Sequence, residues 1–90
     1  MPESSEETFT LAGDLHARPA GALSVAASRY PCSIQLSVDG RQADAKSVLA
    51  VMQLGASSGQ RVTVRAAGPD ADDAVATLIG ILSTLTPAGE

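Results

Sequence analysis

Thr8-Phe9-Thr10-Leu11-Ala12-Gly13-Asp14-Leu15-His16-Ala17-Arg18-Pro19-Ala20 changes character twice along its length. From Thr8 to Ala12 apolar and polar residues alternate, with Phe9 and Leu11 on one side, the pattern of a half-buried strand. Gly13-Asp14 breaks that pattern. A helix then starts near Ala17, with Pro19 in its first turn, where a missing N–H costs nothing because the leading amides of a helix have no intrahelical acceptor. A strand that hands over to a helix across so short a break sets the class: helices layered on a sheet.

Leu23, Ala26, Ala27 and Tyr30 recur at helical spacing, and Pro31 stops that first helix. Ile34, Leu36 and Val38 alternate with Gln35 and Ser37 up to Asp39-Gly40, a hairpin signal. The return strand, Arg41 to Ala45, is poor in β-branched residues and suits a sheet edge. Ser47 opens a short second helix as an N-cap, Val48, Val51 and Met52 share one face, and Gly55 stops it. Val62, Val64 and Ala66 alternate as a fourth strand before the turn Gly68-Pro69-Asp70. Val75, Leu78, Ile79 and Leu82 form the apolar stripe of a third helix, limited by Pro87. Asp70, Asp72 and Asp73 suit the positive start of that helix, whereas a calcium loop would need a Gly and a distal Glu at fixed spacing that are missing here. The order is βαββαβα, an α+β domain with three helices on one face of a four-stranded sheet. Periodicity does not give the strand order.

The only histidine, His16, falls at the N-cap of the first helix. Free backbone N–H groups and the positive end of the macrodipole gather there, favouring an anion by ~0.3–1 kcal/mol and up to ~2 when partly buried. Arg18 adds a planar guanidinium that can pair with phosphate oxygens, although most arginines are simply solvated charges. A neutral imidazole nitrogen is available near pH 7 and can receive and release a phosphoryl group. No phosphate-cradling GxxxxGK[ST] loop and no metal-ligand spacing of Cys and His accompanies it, so no cofactor or metal is expected and the chemistry must come from partners.

Gly13-Asp14-Leu15-His16-Ala17-Arg18-Pro19-Ala20 resembles the active-site signature of the HPr family, the histidine-containing phosphocarriers of the bacterial phosphoenolpyruvate:sugar phosphotransferase system. Lys46-Ser47-Val48-Leu49-Ala50-Val51-Met52-Gln53-Leu54-Gly55 resembles the family's regulatory and docking segment. The likeness runs from about Thr8 to Leu85 with both motifs in order. It implies an HPr-like open-faced sandwich, an antiparallel sheet of order 1-4-2-3, and His16 beside the start of the second helix. It further implies that His16 accepts phosphate at Nδ1 from phospho-Enzyme I and passes it to sugar-specific EIIA components, the protein being a stoichiometric carrier rather than an enzyme. Arg18, with the backbone amides of Ala17 and Arg18, would hold the phosphate, and Ala17, Gly21, Val48, Leu49, Met52 and Gln53 would dock partners. From the residues alone Val48 and Met52 read equally well as core, and Leu49 is the better surface residue. Ser47, a cap by its position, corresponds to a serine that many members have phosphorylated by a dedicated kinase and that then binds a transcriptional regulator. The rival reading is therefore a regulatory module controlled at His16 or Ser47 without sugar transport. A small ferredoxin-like ligand-binding domain fits the element order but leaves both motifs unexplained. Two departures from the family pattern stand out: a loop before His16 about one residue short, with Asp14 and Leu15 where small or hydroxylated residues and an aliphatic one are common, and an apolar run from Ile79 to Leu85 that suits either self-association or more core.

Ninety residues allow one domain, burying only roughly 60–65% of the unfolded surface. Apolar residues make up 44% of the chain, yet the aromatics are one Phe and one Tyr, so small aliphatic side chains must fill a thin core. A net charge of −4 disfavours nucleic acid. Cys32 is the sole cysteine and reads as a small buried hydrophobe. No apolar run reaches the ~20 residues that span a bilayer, and no signal-peptide core follows Met1. The expectation is a cytoplasmic monomer: a frayed leader over 1–7, a domain over 8–86 and a tail over 87–90.

Overall fold

The computed structural model describes residues 3–85. Its elements are β1 (Ser4–Thr10), α1 (Ala17–Ser28), β2 (Ser33–Val38), β3 (Arg41–Asp44), α2 (Val48–Gln53), β4 (Arg61–Ala67) and α3 (Ala71–Leu82). The order βαββαβα stands as expected. The sheet is antiparallel throughout, in the order β1-β4-β2-β3, so the weak strand β3 does lie at an edge. Asp39 and Gly40 both take positive φ in the hairpin, the conformation a two-residue turn needs to match the strand twist.

Along β2 and β4 every second side chain is buried: Ile34, Leu36 and Val38, then Val62, Val64 and Ala66. The intervening Gln35 and Arg65 are exposed. One face of the sheet is therefore the core face, and the helices cover it with Leu23 and Ala27 from α1, Val51 from α2, and Ala71, Ala74, Val75, Leu78 and Leu82 from α3. Cys32 is buried and free, in line with its apolar reading. Gly68 passes so close to it that an added Cβ would meet the Cys32 Cα and Cβ at 3.1 Å, and its φ of +123° excludes other residues independently.

The expected frayed leader is corrected at its inner end. Residues 4–7 are strand, paired in register with Val64 to Ala67, and the Glu6 carboxylate meets Arg65 Nη2 at 2.9 Å. These residues look unlike a strand because they lie on an edge whose mostly exposed positions need no apolar alternation. At the other end α3 closes at Leu82. Pro87, the tail over 87–90 and the domain boundary at 86 lie outside the described residues.

The two halves of the helical layer are tied by polar bonds at one point. Ser24, a buried polar residue of α1, donates its hydroxyl to the Lys46 carbonyl at 2.8 Å, and Lys46 Nζ donates to the Tyr30 carbonyl at 2.9 Å. Tyr30 in turn shares a hydrogen bond of 2.7 Å with the Thr77 hydroxyl of α3.

Candidate functional site

The break after β1 is held from outside. The Leu11 amide donates to the Gln60 carbonyl, and the buried Leu15 donates its amide to the Ala56 carbonyl at 3.0 Å. With Leu15 anchored, His16 turns outward as the N-cap of α1 with extended backbone (φ −80°, ψ −177°) and an exposed side chain that caps nothing. The first helical bond runs from the Ala20 amide to the His16 carbonyl at 3.0 Å. The amides of Ala17 and Arg18 therefore precede the helical ladder, and Pro19 has none to offer. At the third helical position Pro19 leaves these two donors as the only leading amides of α1, beside the imidazole at the positive end of the helix.

The bond from Leu15 to Ala56 also corrects one expectation. His16 lies not beside the start of α2 but near the chain that leaves its far end, because α1 and α2 run in opposite directions: Ser24, two turns into α1, reaches back to Lys46 ahead of α2.

His16, Arg18 and Asp14 line one open groove of about 590 Å³, whose other walls are Pro19, Ala22, Ile81, Thr84 and Leu85. The end of α3 and the residues after it thus form the far wall, a contribution that no motif announced. The apolar run Ile79 to Leu85 is mostly core: Leu82 is fully buried, and Ile79, Ile81 and Leu85 pack partly against it. The groove combines an accessible nucleophilic nitrogen and a guanidinium, with the two leading amides of α1 next in sequence to the imidazole, a set suited to a tetrahedral oxyanion. Asp14 Oδ1 accepts the Ser58 amide at 2.8 Å, so the carboxylate is anchored to the loop before β4 rather than turned onto the imidazole.

Around α2 the expected cap is present: Ser47 Oγ accepts the Ala50 amide at 3.2 Å. Gly55 follows with φ +60°, the left-handed stop expected of it. The apolar stripe of α2 is redistributed, however. Only Val51 is buried in the helix, while Val48 and Met52 are exposed together with Leu49, which is 66% accessible. With fewer than two turns, α2 buries Val51 and half-buries Ala50, and leaves Val48, Leu49 and Met52 on its outer side. Gln53 and Ala17 are exposed and Gly21 is half-buried. Val25, one turn beyond Gly21 on α1, is also apolar and 57% exposed. It was missed because a valine in a helix reads as core until its face is known; its place four residues after Gly21 was the available signal.

Among the described residues no group of three His, Cys, Asp or Glu side chains is placed to hold a metal ion, and no helix is long and apolar enough to cross a membrane.

Comparison with known proteins agrees with this geometry. The family model described as the PTS HPr component phosphorylation site matches residues 4–84. The phosphocarrier protein HPr of Cupriavidus necator is 37% identical over 76 residues, spanning 84% of this chain and 85% of the relative. Among solved structures, HPr from Bacillus anthracis superposes with a TM-score of 0.82 at 27% identity, covering 88% of this chain and 96% of its own. The catabolite repression protein Crh of Bacillus subtilis superposes with a TM-score of 0.74 at 32% identity, covering 87% and 90%. Sheet order, the exposed N-cap histidine and a family match over nearly the whole length converge on one conclusion: this chain belongs to the HPr family of phosphocarrier proteins of the phosphotransferase system.

Proposed function

We propose that His16 accepts a phosphoryl group from phospho-Enzyme I and delivers it to EIIA components, in the cytoplasm and as a monomer, without catalysing a reaction of its own. The observation that carries this reading is the placement of an exposed, uncommitted imidazole at the N-cap of α1, ahead of the leading amides of Ala17 and Arg18, with Arg18 lining the same groove. On loading, Nδ1 of His16 bonds phosphorus as the donor's P–N bond breaks and its electron pair returns to the donor's nitrogen; on delivery, the acceptor's nucleophile bonds phosphorus as the Nδ1–P bond breaks and its electron pair returns to Nδ1. Arg18 and the two amides carry the charge on the phosphoryl oxygens. The groove is open, which lets donor and acceptor proteins present their own reactive groups in turn. Val48, Leu49, Met52 and Gln53 on α2, with Ala17, Gly21 and Val25 on α1, supply the docking surface. Methionine adapts to unlike partners at such a surface.

Incubation with Enzyme I and phosphoenolpyruvate should give an acid-labile phosphate, located by mass spectrometry on the His16 peptide. Its absence, or its survival in His16→Ala, would overturn the reading.

A second reading is a regulatory role exercised through Ser47, in line with the catabolite repression for which the structural relative Crh is named. Ser47 caps α2 next to the exposed Val48 and Leu49. A phosphate there would add ~−1.5 to −2 charges beside the docking surface, disfavouring acidic partners and creating a mark for a transcriptional regulator. Treatment with an HPr serine kinase and ATP should leave an acid-stable phosphate on Ser47 and none on Ser47→Ala.

A further inference from the structure

Among the described residues, Asp14 is the one carboxylate that lines the groove shared by His16 and Arg18. Its position is built rather than incidental. Oδ1 is held by the Ser58 amide at 2.8 Å, and the Ser58 hydroxyl donates to the Ala12 carbonyl at 3.2 Å, so the turn before His16 and the loop before β4 fix the carboxylate from both sides. An anchored negative charge in an anion cradle opposes what Arg18 and the α1 N-terminus favour. Holding the Ser58 amide does not itself require the charge, because a neutral oxygen can also accept that bond, though more weakly.

We propose that Asp14 is a tuning residue for phosphotransfer, destabilising the phosphorylated form of His16 so that the group is passed on readily. The inference rests on the reading of His16 as the phosphoryl acceptor. With a phosphoryl group on Nδ1 and a proton on Nε2, the carboxylate in the same groove repels the phosphoryl oxygens, which raises the phosphorylated form in energy relative to the products of transfer. In hydrolysis the P–N bond breaks and its electron pair returns to Nδ1, leaving neutral imidazole with the proton on Nε2. Water oxygen bonds to phosphorus, and both water protons depart with the product as dihydrogen phosphate. In transfer the partner's nucleophile replaces water and the same P–N bond breaks.

The test uses phosphoramidate, a small chemical phosphoryl donor that needs no Enzyme I, on the full chain and on Asp14→Asn, which keeps an oxygen for the Ser58 amide. The quantity followed is the half-life of the phosphohistidine. At low salt the half-life in Asp14→Asn should be about three- to tenfold longer, as expected for loss of a like charge partly exposed to solvent. The difference should shrink to below about twofold at 1 M salt, where screening acts within ~3 Å. Asp14→Ser, also neutral and also able to accept the amide, should behave in the same way and serves if the asparagine variant does not fold. Equal half-lives at low salt, or a difference that salt leaves untouched, overturn the tuning role while leaving the carrier reading intact. Failure of phosphoramidate to modify His16 in the wild type overturns both. Modification by phosphoramidate with no transfer from Enzyme I overturns the carrier reading alone, and the comparison of half-lives still decides the role of Asp14.

Discussion

Arg18 and Lys would present the same net charge to a phosphate, but only the guanidinium offers a planar pair of donors. Arg18→Lys is therefore expected to slow phosphotransfer to and from His16 by about tenfold while leaving folding unchanged, the scale of one charge-assisted hydrogen bond lost in the transition state. Stopped-flow transfer rates with Enzyme I check it, and wild-type rates would remove Arg18 from the site. A second residue with a measurable role is Ser24, whose hydroxyl is the buried polar link from α1 to Lys46. Ser24→Ala should cost about 1 kcal/mol in urea unfolding, the net worth of such a bond. That link was invisible in the sequence, because Ser24 bonds a residue 22 positions away. His16, Arg18 and their setting were legible, because a proline in a first turn and a strand break are local signals. The anchoring of Asp14 by Ser58 was not, since a partner 44 residues distant leaves no mark on the local pattern.

Among the elements, α2 separates burial from surface within one turn. Val51 is fully buried and Leu49 largely exposed, two residues apart. Val51→Ala should destabilise the fold by about 2 kcal/mol, through lost burial and the cavity left behind, and should leave partner affinity nearly unchanged in the folded protein. Leu49→Asp should do the reverse, with unchanged thermal stability and weaker binding of Enzyme I, by about tenfold for an apolar contact turned into a buried charge. Calorimetry and titration on the same samples distinguish the two. The residues of α2 left Val48 and Met52 open between core and docking surface, because a helical stripe records spacing, not which side has a neighbour; the structure exposes both. The strand β3 was recoverable only through Asp39-Gly40: the turn dictates a return strand whatever residues follow it. Ser4 to Glu7 had no comparable punctuation, and their pairing with β4 became visible only in three dimensions.

For the molecule as a whole, the core is a single apolar layer of small side chains between sheet and helices, with no large aromatic residue to dominate it. Deleting one central leucine should therefore be severe. Leu36→Ala, at a fully buried position of β2, is expected to cost about 3–5 kcal/mol, a large share of the 5–15 kcal/mol that separates folded from unfolded domains. Glu6→Gln, breaking the exposed pair with Arg65 at the opposite edge, should change stability by less than about 1 kcal/mol. Denaturant melts of both variants set the scale of core against surface. The layer architecture followed from periodicity, whereas the sheet order followed from family resemblance.

Tyr30 gives the molecule a spectroscopic voice of its own. The chain has one tyrosine and no tryptophan, and that phenol bridges the end of α1 to Thr77 on α3. Ultraviolet emission of the unlabelled protein therefore reports a single seam, where the first helix closes against the last. Because His16 lies at the opposite end of α1, loading the imidazole should leave that light almost constant, while unfolding of the helical layer should change it. The native chromophore can thus follow integrity during a phosphotransfer assay without a dye and without competing with the chemistry for the same signal.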